Sequence, residues 1–313
     1  MAPHQFSSGD AIADRRADYA RMLAESADHA AAAELMEQAL ELTPSWAAGW
    51  VQLGDYCEKA GLTEKAIAAY ETVDTLDVEG IFAAPLKLAV LGAAETPEQP
   101  PSAYIEGLFD DYADRFETSL VKKLDYSVPQ KLAALIEMAK PSAGFNCVVD
   151  IGCGTGLLGL EIVDWTHRLE GFDISTNMLA KAEEKAIYHH LAQTDLSLSA
   201  EASGLFAGDL ARHRADLVAA ADVMMYLGSL ETVMPLVLAL LAPGGTFAFS
   251  VEDAGNDEGF VLQPSLRYAH SERYITSLLS VSGFQMLESR KTTIRKDAGK
   301  PLSGILFLAR KAA

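Results

Sequence analysis

The run Val148-Val149-Asp150-Ile151-Gly152-Cys153-Gly154-Thr155-Gly156 constrains this chain more than any other stretch. Apolar residues lead into closely spaced glycines, and a helix-like stretch from Leu157 to Trp165 follows. That pattern predicts a buried parallel strand ending in a tight turn at a helix N-terminus. Glycines there allow positive φ and let a ligand approach the backbone without meeting a Cβ. The turn therefore reads as a nucleotide-type cofactor site in a doubly wound α/β domain.

Two glycine patterns overlap in it. Gly154-Thr155-Gly156-Leu157-Leu158-Gly159 fits the dinucleotide fingerprint, with Asp173 at the spacing expected of a ribose-binding acid. That reading points to NAD. The other begins earlier, at Asp150-x-Gly152-x-Gly154-x-Gly156. A carboxylate beside the turn repels a diphosphate and attracts an ammonium group, which suits a cofactor carrying a cationic amino-acid moiety. A plain capping or turn role for Asp150 is the bland alternative.

The downstream sequence bears on the choice. Gly171 to Ser175 reads as a second strand ending in an acid, with Ser175 capping a helix to Ala186. Ala215 to Val223 is an apolar strand, and Ala242-Pro243-Gly244-Gly245 is a turn feeding a strand from Thr246 to Val251. After one more helix come two strand candidates, Phe284 to Arg295 and Ser303 to Arg310. Their connection, Asp297 to Pro301 at its heart, is too short for a parallel crossover, so they must pair as an antiparallel hairpin. A parallel sheet closed by a C-terminal hairpin is unlike an ordinary dinucleotide domain.

From about Tyr104 to the C-terminus the chain resembles the class I S-adenosylmethionine (SAM)-dependent methyltransferases. The resemblance implies a seven-stranded Rossmann-like domain that binds SAM and releases S-adenosylhomocysteine. Asp150, Gly152, Cys153, Gly154 and Gly156 match the turn that packs on the methionine part of SAM. Asp173 matches the acid that binds the ribose hydroxyls. Ile174 matches the residue packing on adenine, with Met178 farther along, in the helix that Ser175 opens. Asp195-Leu196 matches the pair that meets the adenine amino group, with Asp209-Leu210 competing for that role. Ala221-Asp222 falls beside the transferred methyl group, and Pro243-Gly244-Gly245 matches the turn before the fifth strand.

A narrower likeness is to bacterial proteins that join tetratricopeptide (TPR) repeats to such a domain. It rests on Phe109-Asp110-Asp111-Tyr112-Ala113-x-x-Phe116, on Leu124-Asp125-Tyr126-Ser127-Val128-Pro129 and on Arg267-Tyr268-Ala269-His270-Ser271. It implies no particular methyl acceptor. Residues 1–100 are Ala-rich and helical in period. Trp50, Leu53, Gly54, Gly61, Ala66 and Tyr70 fit the large/small alternation of a TPR unit, and Ala32, Met36, Ala39 and Pro44 fit the unit before it. A plain helical bundle is the alternative. Glu95 to Pro101 is a proline-marked linker, which divides the chain into an all-α domain at 1–100 and a methyltransferase domain at 101–313.

Composition narrows the partners. Forty-four acids against 25 Lys and Arg leave a net charge of −19, and a nucleic-acid acceptor would need a basic footprint. Arg290-Lys291 with Arg295-Lys296 is the one basic group that stands out, and it reads as a solvated strand face. The expected acceptor is a small molecule or protein, with a protein partner for the helical domain as a second role. No metal site is expected, since His189-His190 would face opposite ways on a strand. Three scattered cysteines, no membrane-length apolar run and no apolar signal core give a cytoplasmic expectation.

Catalytic residues are harder to read. Transfer from an activated sulfonium needs mainly near-attack geometry, and a base only when the nucleophile arrives protonated. His270 is the candidate base and Arg267 the candidate clamp for an acceptor carboxylate or phosphate. The competing reading has His270 and Ser271 capping a helix near Glu272, with Tyr268 in the core. Tyr126 is the candidate lid over the cofactor. The functional expectation is a SAM-dependent methyltransferase. The alternatives are a TPR-based scaffold with a SAM-binding but weakly active fold, and an NAD oxidoreductase.

Overall fold

The computed structural model describes residues 7–117, 126–255, 258–297 and 299–312. Leu124 and Asp125 of the lead-in motif, and Ala298 of the hairpin connection, lie outside the described residues. The chain forms two compact units, residues 1–107 and 108–313, so the division falls a few residues after the proline-marked linker and inside the helix Ser102–Tyr112. Tyr104 belongs to the first unit.

The first unit is helical. Helices α1 (Ala11–Glu25), α2 (His29–Leu40), α3 (Ala47–Lys59), α4 (Thr63–Leu76) and α5 (Ala84–Val90) precede α6 (Ser102–Tyr112). Asp10 and Asp28 cap α1 and α2 by accepting backbone N–H groups. α2 and α4 start 34 residues apart, at His29 and Thr63. Gly54 gives α3 and α4 their close approach: a Cβ there would sit 2.4 Å from the ring of Tyr70. The Tyr70 hydroxyl donates to Asp55 at 2.7 Å, and Lys87 reaches the same carboxylate at 2.6 Å.

The second unit is built on one mixed sheet. Its strands are β1 (Phe145–Ile151), β2 (Thr166–Asp173), β3 (His190–Gln193), β4 (Ala215–Ala220), β5 (Leu241–Asp253), β6 (Phe260–Leu262), β7 (Tyr268–His270), β8 (Phe284–Asp297) and β9 (Lys300–Lys311). Helices α7 (Val128–Ile136), α8 (Leu157–Ile162), α9 (Thr176–Glu183), α10 (Val233–Leu240) and α11 (Glu272–Val281) complete it. The order β3-β2-β1-β4-β5 is parallel, β9 runs antiparallel beside β5, and β8 pairs with β9. These seven strands, with their C-terminal hairpin, are the expected Rossmann-like sheet.

Nine strands rather than seven are found among the described residues. β5 runs on to Asp253 beyond the last residue paired with β4, Phe249, and its free end pairs in parallel with β7 at Glu252–Ala269 and Asp253–His270. β6 completes that short hairpin. Two other elements stop early. β4 ends at Ala220 because Asp222 turns left-handed at φ 58, and α9 ends at Glu183 before Ala186 at φ 54. Two apolar layers sandwich the sheet, one around Val149, Phe172, Val218 and Phe249 and one around Val148, Leu169, Leu217 and Ala248. Both faces of the parallel strands are thus buried, which is why these strands read as continuous apolar runs.

Candidate active site

The glycine turn at the end of β1 has positive φ at every second residue: Gly152 at 66, Gly154 at 54 and Gly156 at 88. Alternating left-handed residues curl the backbone into a concave cradle. A Cβ on Gly152 would lie 2.3 Å from Val223, so that glycine lets the segment after β4 come close. At Gly154 a Cβ would meet nothing within 4 Å, so the cradle opens there.

Two acids flank the opening. Asp150 is fully buried; its Oδ2 accepts from the Tyr188 hydroxyl at 2.8 Å, and its Oδ1 has no hydrogen-bond partner. Burial raises its pKa to about 7, against the lowering effect of Tyr188, and the charge of Asp173 raises it further. Asp173, at the end of β2, accepts from the N–H groups of Gly154 at 2.8 Å and Ser175 at 2.9 Å. Burial raises it to about 6, although those N–H groups pull the other way. A buried carboxylate oxygen without a partner is costly, and an ammonium group delivered to the cradle would satisfy it. The cradle, the unengaged oxygen of Asp150 and the acid at the end of β2 fit the amino-acid and ribose ends of SAM.

Other expected cofactor contacts divide. Ile174 is half-buried beside Asp173, as a platform for adenine requires. Asp195 comes two residues after β3 ends, with its carboxylate held by Ser197 at 2.6 Å, and Leu196 packs in the core. The competing Asp209 is exposed in a later turn. Met178 is a correction: it is fully buried, so its side chain has no surface for an adenine ring. Cys153 is 7 % exposed, and burial pushes its thiol well up, so it is inert turn packing.

The lead-in to the domain crosses this edge of the sheet. Phe109 meets Tyr226, after β4, edge-on at 4.9 Å between ring centres. The next residue, Asp110, accepts from Ser175 Oγ, after β2, at 2.6 Å. Since β1 lies between β2 and β4, residues 109–110 pass over the side of the sheet that carries the glycine turn. Lys181–Asp114 and Lys185–Glu117 ion pairs continue the lead-in along α9 and just past its end. Tyr126 is half-buried, and burial raises its phenol well above the usual range, helped by the charge of Asp222 and more weakly of Asp150.

Past β4 lies a buried charge network that sequence reading missed. Asp222 accepts from Arg295 Nη1 at 2.8 Å and from Ser250 Oγ at 3.1 Å. Arg295 also bonds Glu252 on β5, and Arg267 Nε reaches the same Glu252 oxygen at 2.7 Å. Burial raises Asp222 in spite of the Arg295 charge beside it. Its left-handed backbone stores strain of ~1–3 kcal/mol, held by the ion pair and by its N–H on Ser250 Oγ at 2.8 Å. Arg295 corrects the expected solvated basic face. A bulge between Thr293 and Arg295 lets consecutive residues Ile294 and Arg295 both point inward, at 0 % and 6 % exposure. Alternation alone would have put one of them in water.

His270 is a further correction. It lies on β7 with no exposed surface, its Nε2 2.8 Å from the Gly228 carbonyl oxygen and its ring stacked on Tyr274. Burial lowers its pKa to about 4. Ser271 caps α11 by accepting from Tyr274 N–H, and Tyr268 is fully buried, so the segment is built as cap and core. A sealed imidazole cannot reach an acceptor as general base. Arg267 instead joins the network at the end of β5, together with Asp222.

Comparisons with known proteins agree with the fold and the turn. Residues 148–245, from β1 to the bend before the main run of β5, match a family model described as a methyltransferase domain. The trans-aconitate 2-methyltransferase of Paracidovorax citrulli is 31% identical over 117 residues, which cover 36% of this chain and 41% of that protein. The dimethylglycine N-methyltransferase of Parasynechococcus marenigrum is 30% identical over 148 residues, covering 44% of this chain and 49% of that protein. The chain thus spans less than half the length of these curated relatives. The solved structure of 1,6-didemethyltoxoflavin-N1-methyltransferase from Burkholderia thailandensis, with bound 1,6-didemethyltoxoflavin and S-adenosylhomocysteine, matches at a TM-score of 0.51. It is 19% identical and covers 70% of this chain and 94% of that one, a likeness of fold. The matched segment carries the glycine turn and the parallel strands on either side of it, and is similar to a methyltransferase domain in sequence and in fold. Among the described residues no helix is long and apolar enough to cross a membrane, and no cluster of three or more His, Cys, Asp or Glu could hold a metal ion.

Proposed function

We propose that the chain is a SAM-dependent methyltransferase acting on a small-molecule acceptor. The observation that carries this reading is the unpartnered Oδ1 of Asp150, buried beside a glycine cradle that is open at Gly154. SAM supplies an electrophilic methyl group on a sulfonium. The chain's own part is to bind and orient: Asp150 takes the ammonium, Asp173 the ribose hydroxyls, Ile174 and Asp195 the adenine. The lead-in through Phe109 and Asp110 excludes water from the open side, with Tyr126 completing the cover. Acceptor binding falls to the end of β4 and β5, where Arg267 would meet an acidic group. The two curated relatives described above are named for methylating small molecules, which supports an acceptor of that size.

The helical unit is a pair of TPR-like hairpins in this reading. The 34-residue offset between α2 and α4 and the Gly54–Tyr70 contact support it. Such a unit offers a docking face for a protein partner.

Thermal-shift titration should show stabilisation by SAM and S-adenosylhomocysteine and none by NAD; preferential stabilisation by NAD would sink the assignment. Incubating a metabolite and proteome extract with methyl-labelled SAM then identifies the acceptor. Label on proteins alone would overturn the small-molecule reading. Asp173→Ala should weaken S-adenosylhomocysteine roughly 10- to 100-fold. It removes charge-assisted bonds worth ~1.5–3 kcal/mol and also frees the Gly154 N–H from its brace. Calorimetry reads this directly, and an unchanged affinity would make the acid purely structural.

A further inference from the structure

Three glycines around the cofactor turn share one neighbour. A Cβ on Gly156 would lie 2.9 Å from Tyr188 Cε2, one on Gly159 would lie 2.4 Å from Tyr188 Oη, and one on Gly171 would lie 2.8 Å from Tyr188 Cε1. Gly156 ends the turn, Gly159 lies on α8 and Gly171 lies on β2. They come from two separate stretches, the turn with its helix and β2, and one phenol ring lies against all three. Gly171 pairs in register with Asp150 on one side and with Leu191 on the other. A ring seated over Gly171 therefore stands beside the Asp150 side chain, and its hydroxyl reaches Oδ2 at 2.8 Å. Tyr188 itself packs against the apolar layer around Val148 and Leu169.

We infer that Tyr188 is a positioning residue of the cofactor site: seated between Gly156, Gly159 and Gly171, it fixes the Asp150 carboxylate through Oδ2 and leaves Oδ1 for the ammonium of the methionyl group. The inference rests on the SAM reading above and explains the overlapping glycine pattern. The third glycine, Gly159, makes room for a tyrosine and does not mark a dinucleotide site. A phenol is suited to the task because its ring supplies packing while its one O–H donates to the ionised carboxylate. It also favours the ionised form that an ammonium requires. The titratable groups facing Asp150 are Tyr188 from the loop before β3, Asp173 from β2, Cys153 from the turn and Tyr126 from the segment before α7.

The test is calorimetric titration of S-adenosylhomocysteine into the full chain between pH 5.5 and 8, for the wild type, Tyr188→Phe and Asp150→Asn. Wild-type affinity should fall on the acid side as Asp150 takes up a proton. Tyr188→Phe, which keeps the ring, should move that fall upward by about one pH unit and weaken binding roughly tenfold near pH 6.5. An acid limb and affinity equal to wild type would overturn the assignment. Wild-type protein that fails to bind at any pH would overturn the cofactor reading and this inference with it. A measurement independent of any Tyr188 variant is nuclear magnetic resonance of selectively labelled tyrosine in the unliganded wild type. The Tyr188 ring signals should titrate with a midpoint near the Asp150 value of about 7 and lose that step in Asp150→Asn. A wild-type ring without the step would reject the coupling.

Discussion

Replacing Asp150 by Asn should make the unliganded protein more stable at pH 8 while abolishing its stabilisation by S-adenosylhomocysteine. Desolvation first, and the Asp173 charge second, raise the folded-state pKa of Asp150 to about 7. Its unfolded value is near ~3.9. Between those values the folded state holds a proton that the unfolded chain has released. The associated stability is therefore fully present below pH ~4 and is lost as the pH rises through about 7. At pH 8 the wild type carries a buried charge whose cost is at most ~4 kcal/mol on a three-unit shift. Asparagine removes that charge but buries an amide with an unsatisfied donor, so a net gain on the order of 2 kcal/mol is expected. At pH 5 the wild-type acid is itself neutral and the gain should vanish or reverse. Thermal melts at both pH values, with and without ligand, read all of this. A variant equally destabilised at pH 5 and pH 8, with ligand stabilisation intact, would remove Asp150 from the site.

Arg295→Met should be the most damaging single change in the second unit. Arg295 is 6 % exposed and its guanidinium serves two carboxylates, Asp222 and Glu252, which among the described residues keep Ser250 and Arg267 as side-chain partners without it. Breaking a buried pair from one side costs ~3–5 kcal/mol because a buried charge is left uncompensated. The left-handed Asp222 would lose its main anchor as well. Adding Asp222→Asn and Glu252→Gln to Arg295→Met should restore much of the loss, since neutral groups need no counter-charge. Equilibrium urea unfolding of the full chain measures both steps. A loss under ~1 kcal/mol, or a triple variant no better than the single, would mean that the network is hydrated and not structural.

The glycine turn was legible in the sequence because it is local. A strand, an alternating glycine turn and a helix are one continuous stretch, and positive φ at Gly152, Gly154 and Gly156 is what those residues permit. Asp173 was read as the acid ending the second strand and does end β2, whereas β3, the short strand His190–Gln193 before Asp195, has no apolar run to mark it, which is why Asp209 competed with Asp195 in the sequence. The antiparallel hairpin of β8 and β9 followed from the length of its connection alone. The buried charge network past β4 was not local. Arg295 and Asp222 are 73 residues apart in sequence, and a bulge, invisible in composition, turned Arg295 inward. His270 looked chemical because histidine titrates near neutrality, but its burial in β7 depends on β5 outrunning β4.

What the sequence by itself determined is therefore the doubly wound scaffold, the turn and the acids at strand ends, since backbone sterics and hydrophobic period act within a few residues. Only the tertiary structure decided which side chains meet across strands. It put Tyr188 against three glycines of the turn, its helix and β2, joined Arg295 to Asp222 and Glu252, and sealed His270 in the core. Burial and long-range pairing set those ionisation states and contacts, and neither exists until the sheet has closed.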